Sequence, residues 1–240
     1  MKKMFLVVAA ATVMCINGAK AQEFSVGADV VSSYVWRGQH LGGLSIQPSL
    51  GFSVAGLSIG AWGSTDIING FTTLPGYSKE LDLSIGYEIA GLTVGITDYF
   101  ITPGGVSYFN YSADEGTAHT FELNLGYTLP IEKLPLSLSW NTNFAGAVGL
   151  NNEGEDAYAS YFEVSYPFAV KDVSLTAALG LTPWANTSYG NIGDSGFNVI
   201  NLALTASKEL KLGSFSIPVF GQLVINPRAE DIFLVFGASF

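Results

Sequence analysis

Apolar and polar residues alternate with a period of two along most of the chain. In "ELDLSIGYEI" (80–89), Leu81, Leu83, Ile85, Tyr87 and Ile89 fall on one face, and Glu80, Asp82, Ser84, Gly86 and Glu88 on the other. "TFELNLGY" (120–127) sets Phe121, Leu123, Leu125 and Tyr127 against Thr120, Glu122, Asn124 and Gly126. "SLTAALGL" (174–181) and "SFSIPVFGQLVI" (214–225) repeat the pattern. Successive side chains of a strand point to opposite faces, so this period predicts β-strands and not helices. Twelve strands are predicted: 24–37, 44–54, 57–64, 79–89, 92–100, 117–128, 134–144, 157–168, 172–183, 197–207, 214–225 and 230–240. Many are near the roughly 9–11 residues that a tilted strand needs to cross a bilayer.

The connections sort into two classes. Even-numbered strands end mostly in short turns: "AG" at 55–56, "AG" at 90–91, and the slightly longer "PIEKLP", "AVKD" and "KELKLG". Odd-numbered strands end mostly in long polar or glycine-rich loops near 65–78, 101–116, 145–156 and 184–196, with the short "NPRA" (226–229) as the exception. Short connections at one end and long ones at the other predict an all-β, antiparallel up-and-down transmembrane barrel with both termini at the short-turn end. A shared aromatic before the turn recurs in "SLGFSVAGLSIGAW", "SIGYEIAGLTVGIT", "NLGYTLPIEKLPLSLSW" and "EVSYPFAVKDVSLTAAL". Phe52, Tyr87, Tyr127 and Tyr166 thus reach matching heights, as membrane-interface aromatics do. Trp36, Tyr99, Phe100, Trp140 and Trp184 are expected to form the second girdle. The last strand, "DIFLVFGASF", ends on Phe240, also assigned to the interface. Such a C-terminal aromatic strand resembles the signal read by outer-membrane assembly machinery.

Composition sharpens this picture. Charged residues make up 12% of the chain, about half the roughly 25% usual in soluble domains. A water-facing sheet would carry more Lys and Glu. Residues 1–21 read as a cleaved secretory leader: Lys2 and Lys3 open it, "MFLVVAAATVM" is its apolar core, and "AKA" offers a cleavage site. Residues 22–240 form the single barrel domain. Losing Lys2, Lys3 and Lys20 leaves seven basic and twenty acidic residues, a formal charge of −13. That excludes nucleic acid as a partner, because its phosphates would be repelled. Cys15, in the leader, is the one cysteine, so the mature chain has neither disulfides nor thiolate ligands.

Candidate chemistry lies on the polar face. Facing the apolar positions to lipid turns the carboxylates inward, because a charge in hydrocarbon is costly. The lumen-lining set is Asp29, Ser33, Arg37, Glu80, Asp82, Glu122, Glu163 and Asp231, with Glu88 beside them. Tyr34 and Trp36 then point to lipid, and Arg37 is the one basic residue assigned to the lumen. It is expected to pair with an inward acid such as Asp82 or Asp231. Gly51, Gly60, Gly86, Gly95, Gly126 and Ser84 leave space inside, while Trp62, Tyr161 and Phe220 could refill it.

No catalytic pair stands out: His40 and His119 have no neighbouring nucleophile and read as rim residues. "NNEGED" (151–156) lacks the spacing of a calcium loop. The chain is therefore read as a non-enzymatic barrel without metal or cofactor. Its acidic lumen would pass small cationic or neutral solutes, as carboxylate rings do in cation-selective pores. The alternative is a closed structural barrel, or one that binds through its outer loops without transport.

The segment "VGADVVSSYVWRGQHLGG…QPSLGF…GLSIGAWGSTD" resembles the opening of the TorF-like, Gcw-type porin family of bacterial outer-membrane proteins. Its elements here are Ser32 or Ser33, Tyr34, Val35, Trp36, Arg37 and Gly38, then Gly51 and Phe52, then Gly60, Trp62 and Ser64. Gly86–Tyr87 and Asp98–Tyr99 resemble the next hairpin, so the likeness covers about residues 25–100. It implies an outer-membrane porin, with outer-membrane lipid as surroundings.

Overall fold

The computed structural model describes residues 22–68, 79–102, 106–112, 116–131, 134–193, 196–213 and 215–240. The leader assignment on 1–21, with Cys15, lies outside them. Among the described residues, fourteen strands run in chain order: β1 Glu23–Val31, β2 Tyr34–Trp36, β3 Gln39–Gly42, β4 Ser45–Val54, β5 Leu57–Asp66, β6 Lys79–Ile89, β7 Leu92–Thr102, β8 His119–Thr128, β9 Ser137–Gly146, β10 Ser160–Val170, β11 Val173–Thr182, β12 Asn198–Leu212, β13 Phe215–Asn226 and β14 Asp231–Ser239. Twelve of them close into an antiparallel barrel, each paired with its neighbour and β1 paired with both β4 and β14. The remaining two, β2 and β3, form a separate hairpin. Up-and-down closure and the sorting of short and long connections agree with the alternation in the sequence. Every barrel strand is paired on both sides, the closure between β1 and β14 being short, over Asp29–Val31.

The apolar set forms the outer wall. Val26, Leu50, Ile59, Ile85, Ile89, Ile232, Leu234 and Phe236 are all exposed there. Phe52 packs on Phe24 with ring centroids 4.7 Å apart, and Tyr166 stacks on Phe168 at 5.9 Å. Tyr87, Tyr127, Trp140 and Phe240 are likewise exposed on the outer wall. The tight turns follow from strand twist. Ala55 and Gly56 have φ of 50° and 90°, the positive pair that matches the twist of the flanking strands.

The first predicted strand, 24–37, is corrected. β1 ends at Val31, and the chain bends at Ser32 and Ser33 before entering the hairpin. Turn chemistry overrode the alternation here. Trp36 pairs with Gln39 and Val35 with His40, which leaves Arg37 and Gly38 as a two-residue turn with φ of 49° and 79°. Glycine at the second position has a further reason. A Cβ on Gly38 would run into the backbone carbonyl of Ile200.

Candidate functional site

The β2–β3 hairpin lies inside the barrel at its long-loop end, and side chains from around the wall hold it. The Tyr34 ring is buried and meets Trp62 on β5 edge-on at 5.6 Å. His40 stacks on Phe233 of β14 at 5.9 Å. Asn226, at the end of β13, donates from Nδ2 to the Gly38 carbonyl at 3.0 Å. At the base of the hairpin, Asp66 accepts from the Gly43 amide at 3.1 Å.

Arg37 stands at the hairpin tip. Its Nη1 donates to Oε2 of Glu122 at 2.5 Å and its Nη2 to Oε1 at 3.0 Å, a two-pronged pairing with one carboxylate. Nη1 also donates to the Tyr189 hydroxyl at 2.5 Å. The guanidinium carbon lies 4.3 Å from the Trp36 ring centre and 4.6 Å from that of Tyr161. The Glu122 side chain is 0% exposed and that of Arg37 only 8%. Burial opposes the charge on Arg37, but Glu122, foremost among its neighbours, more than offsets this and holds its pKa well above the ordinary value.

The wall keeps this site in shape. Tyr99 donates to Glu122 at 3.0 Å and Asn124 at 2.6 Å. The Tyr161 hydroxyl donates to Glu163 at 2.5 Å and accepts from Asn201 at 3.0 Å. Ala159, Tyr161, Tyr189 and Ile200 form a dry cluster against which Trp36 packs.

Several sequence assignments change. Arg37 pairs with Glu122 and with neither Asp82 nor Asp231, because the turn carries it across the lumen to β8. Trp36 and Tyr34 do not face outward: the hairpin folds both into the interior. Tyr99 is also inside, 5.5 Å from Trp36, as its alternation with Thr97 requires. Ser33 belongs to the hairpin's entry, where it donates to the Gly42 carbonyl at 3.3 Å. Glu80 and Asp82 are buried two residues apart on the inner face of β6, where Asp82 Oδ1 has no hydrogen-bond partner. Asp29 is half-buried inside, opposite Ser239 on β14. Asp231 is exposed at the rim beside Asn226.

His119 is not a rim residue. It is fully buried beneath residues 106–112. Its Nδ1 lies 2.8 Å from Asp98 Oδ1, its Nε2 2.6 Å from the Tyr108 carbonyl, and its ring is stacked on Tyr111. Asn151 ties loop 151–156 to itself, accepting from the Glu153 and Glu155 amides at 3.0 and 2.9 Å. Among the described residues no three His, Cys, Asp or Glu side chains are grouped to hold a metal ion.

Below the hairpin the interior is different. Ser84 faces inward, one step along β6 from Asp82, yet it is exposed.

Fold and site together define a closed twelve-strand β-barrel with an apolar outer wall, a polar inner wall and its own first loop folded into one mouth. The chain belongs to the family described as bacterial protein of unknown function (Gcw_chp), whose model matches residues 16–202. No curated protein and no solved structure matches it.

Proposed function

We propose that the chain is a bacterial outer-membrane porin that passes small cationic or neutral solutes passively through an acidic lumen, in a state whose outer mouth is closed by its first loop. The observation that carries this reading is the contrast between the two walls. Outside, the side chains are apolar apart from the covered Asp98–His119 pair; inside, they include Ser, Thr, Asn and carboxylates. An apolar belt of this extent is a liability in water and suits hydrocarbon, where a closed barrel satisfies its own backbone. The long loops then face outward and the short turns the periplasm, with Phe240 offered to the assembly machinery. Glu122, Glu163 and Asp29 on the inner wall outnumber Arg37, so the lumen favours cations. Planar-bilayer recording of the refolded protein under a potassium chloride gradient tests this. A reversal potential on the cation side is expected, and anion preference overturns the reading.

A second reading, a closed barrel acting through its outer loops, is favoured by the packed hairpin itself. Cutting out residues 34–42 separates the two. Val31 and Ser45 are paired neighbours, so Ser32, Ser33, Gly43 and Leu44 can close the gap as a short turn. The porin reading expects steady conductance from the shortened barrel; a silent barrel that still melts cooperatively supports the closed one.

A further inference from the structure

The hairpin tip sits in its pocket as a ligand sits in a binding site. Glu122 presents both carboxylate oxygens to one guanidinium, at 2.5 and 3.0 Å. The Tyr161 ring faces the same group at 4.6 Å, and the Tyr189 hydroxyl accepts a third hydrogen bond. All three residues belong to the barrel wall or an outer loop; independently of the hairpin, Tyr99 and Asn124 orient Glu122, Glu163 and Asn201 orient Tyr161, and Asn186 accepts from the Tyr189 amide. A carboxylate in the plane of the cation with an aromatic ring over its face suits a planar guanidinium better than a compact ammonium.

We infer that Glu122, Tyr99, Tyr161 and Tyr189 form a recognition site for guanidinium-bearing solutes, and that Arg37 occupies it as a tethered stand-in. The inference rests on the channel reading for the solute's route to the site. Tethering gives Arg37 a high local concentration, so a free solute engages the wall in the fraction of molecules whose hairpin is withdrawn.

The test is chemical rescue. Arg37→Gly empties the site and relieves the left-handed backbone at 37. Methylguanidinium chloride at millimolar concentration should then raise the melting temperature of the detergent-refolded variant by roughly 2–4 °C. Urea, its neutral counterpart, and methylammonium chloride at equal ionic strength should leave it in place, and adding Glu122→Gln should abolish the shift. No shift, or the same shift with methylammonium or with Glu122→Gln, overturns the inference. If Arg37→Gly does not refold, hydrogen exchange of the unaltered protein decides. Methylguanidinium should speed exchange in residues 34–42 and not in the β1–β4 ladder; unchanged exchange overturns the inference. Neither readout depends on conduction. A barrel that binds methylguanidinium but never conducts keeps the site and loses the channel; one that conducts without binding does the reverse.

Discussion

Two ion pairs mark the two ends of the barrel. At the long-loop end Arg37 meets Glu122 at 2.5 Å; at the short-turn end Lys208 meets Asp172 at 2.8 Å. The distances nearly agree, but the surroundings do not. The first pair is enclosed by aromatic rings, whereas the Lys208 and Asp172 side chains are 52% and 70% exposed. In water an ion pair is screened and contributes little. Inside protein, each partner becomes a serious cost once the other is removed. The barrel is therefore controlled from one end, where its charges are dry.

Removing residues 34–42 should break this contrast most completely, turning a stopped lumen into an open one. Single-channel recording would show it as a change from rare or absent events to steady conductance. Glu122→Gln comes next. Leaving Arg37 buried opposite an uncharged amide should destabilise the folded barrel by about 3–5 kcal/mol, read from denaturant unfolding in detergent by tryptophan fluorescence. Unfolding within error of the parent would mean that the hairpin simply leaves the lumen. Gly38→Ala should cost about 1–3 kcal/mol, since φ of 79° and the Ile200 carbonyl both oppose a Cβ. If the hairpin is expelled instead, conductance rises while the melting temperature holds.

The smallest effect belongs to the exposed pair. The hydrogen bond from Lys208 lowers the pKa of Asp172 from its usual 3.8. A depressed carboxylate pKa stabilises the fold above the unfolded value, and this is lost as pH falls through the folded one. Asp172→Asn should thus melt slightly below the parent at neutral pH, with the gap closing below about pH 4. A large gap at neutral pH would refute the contrast between the ends.

The barrel was legible in the sequence because a two-residue period survives wherever one wall is apolar and the other polar. Strand number, the order of short and long connections, and the inward placement of Glu80, Asp82, Glu122 and Glu163 all follow from it. The plug was not. "SSYVWRGQ" alternates well enough to extend a strand, and that pattern hid a turn. The available signal was Arg37–Gly38 directly after the aromatic "YVW", since two-residue hairpins need positive φ at both positions and glycine favours the second. Pairing across the lumen was beyond any local pattern: Glu122 lies 85 residues from Arg37. Covering of His119 by residues 106–112 was hidden for the same reason. Alternation tells which face a residue takes, but not what later folds over it.

The long reach of the hairpin also orders events during assembly. Its tip bonds to residues 85, 152 and 188 positions away, on strands and a loop that are brought together only as the barrel rolls up. Contacts of such sequence separation bear the full entropy of loop closure before they return anything. The first loop is thus among the earliest segments made and among the last to settle. Each newly assembled molecule passes through a stage with an unstopped mouth, and insertion of a single arginine ends it.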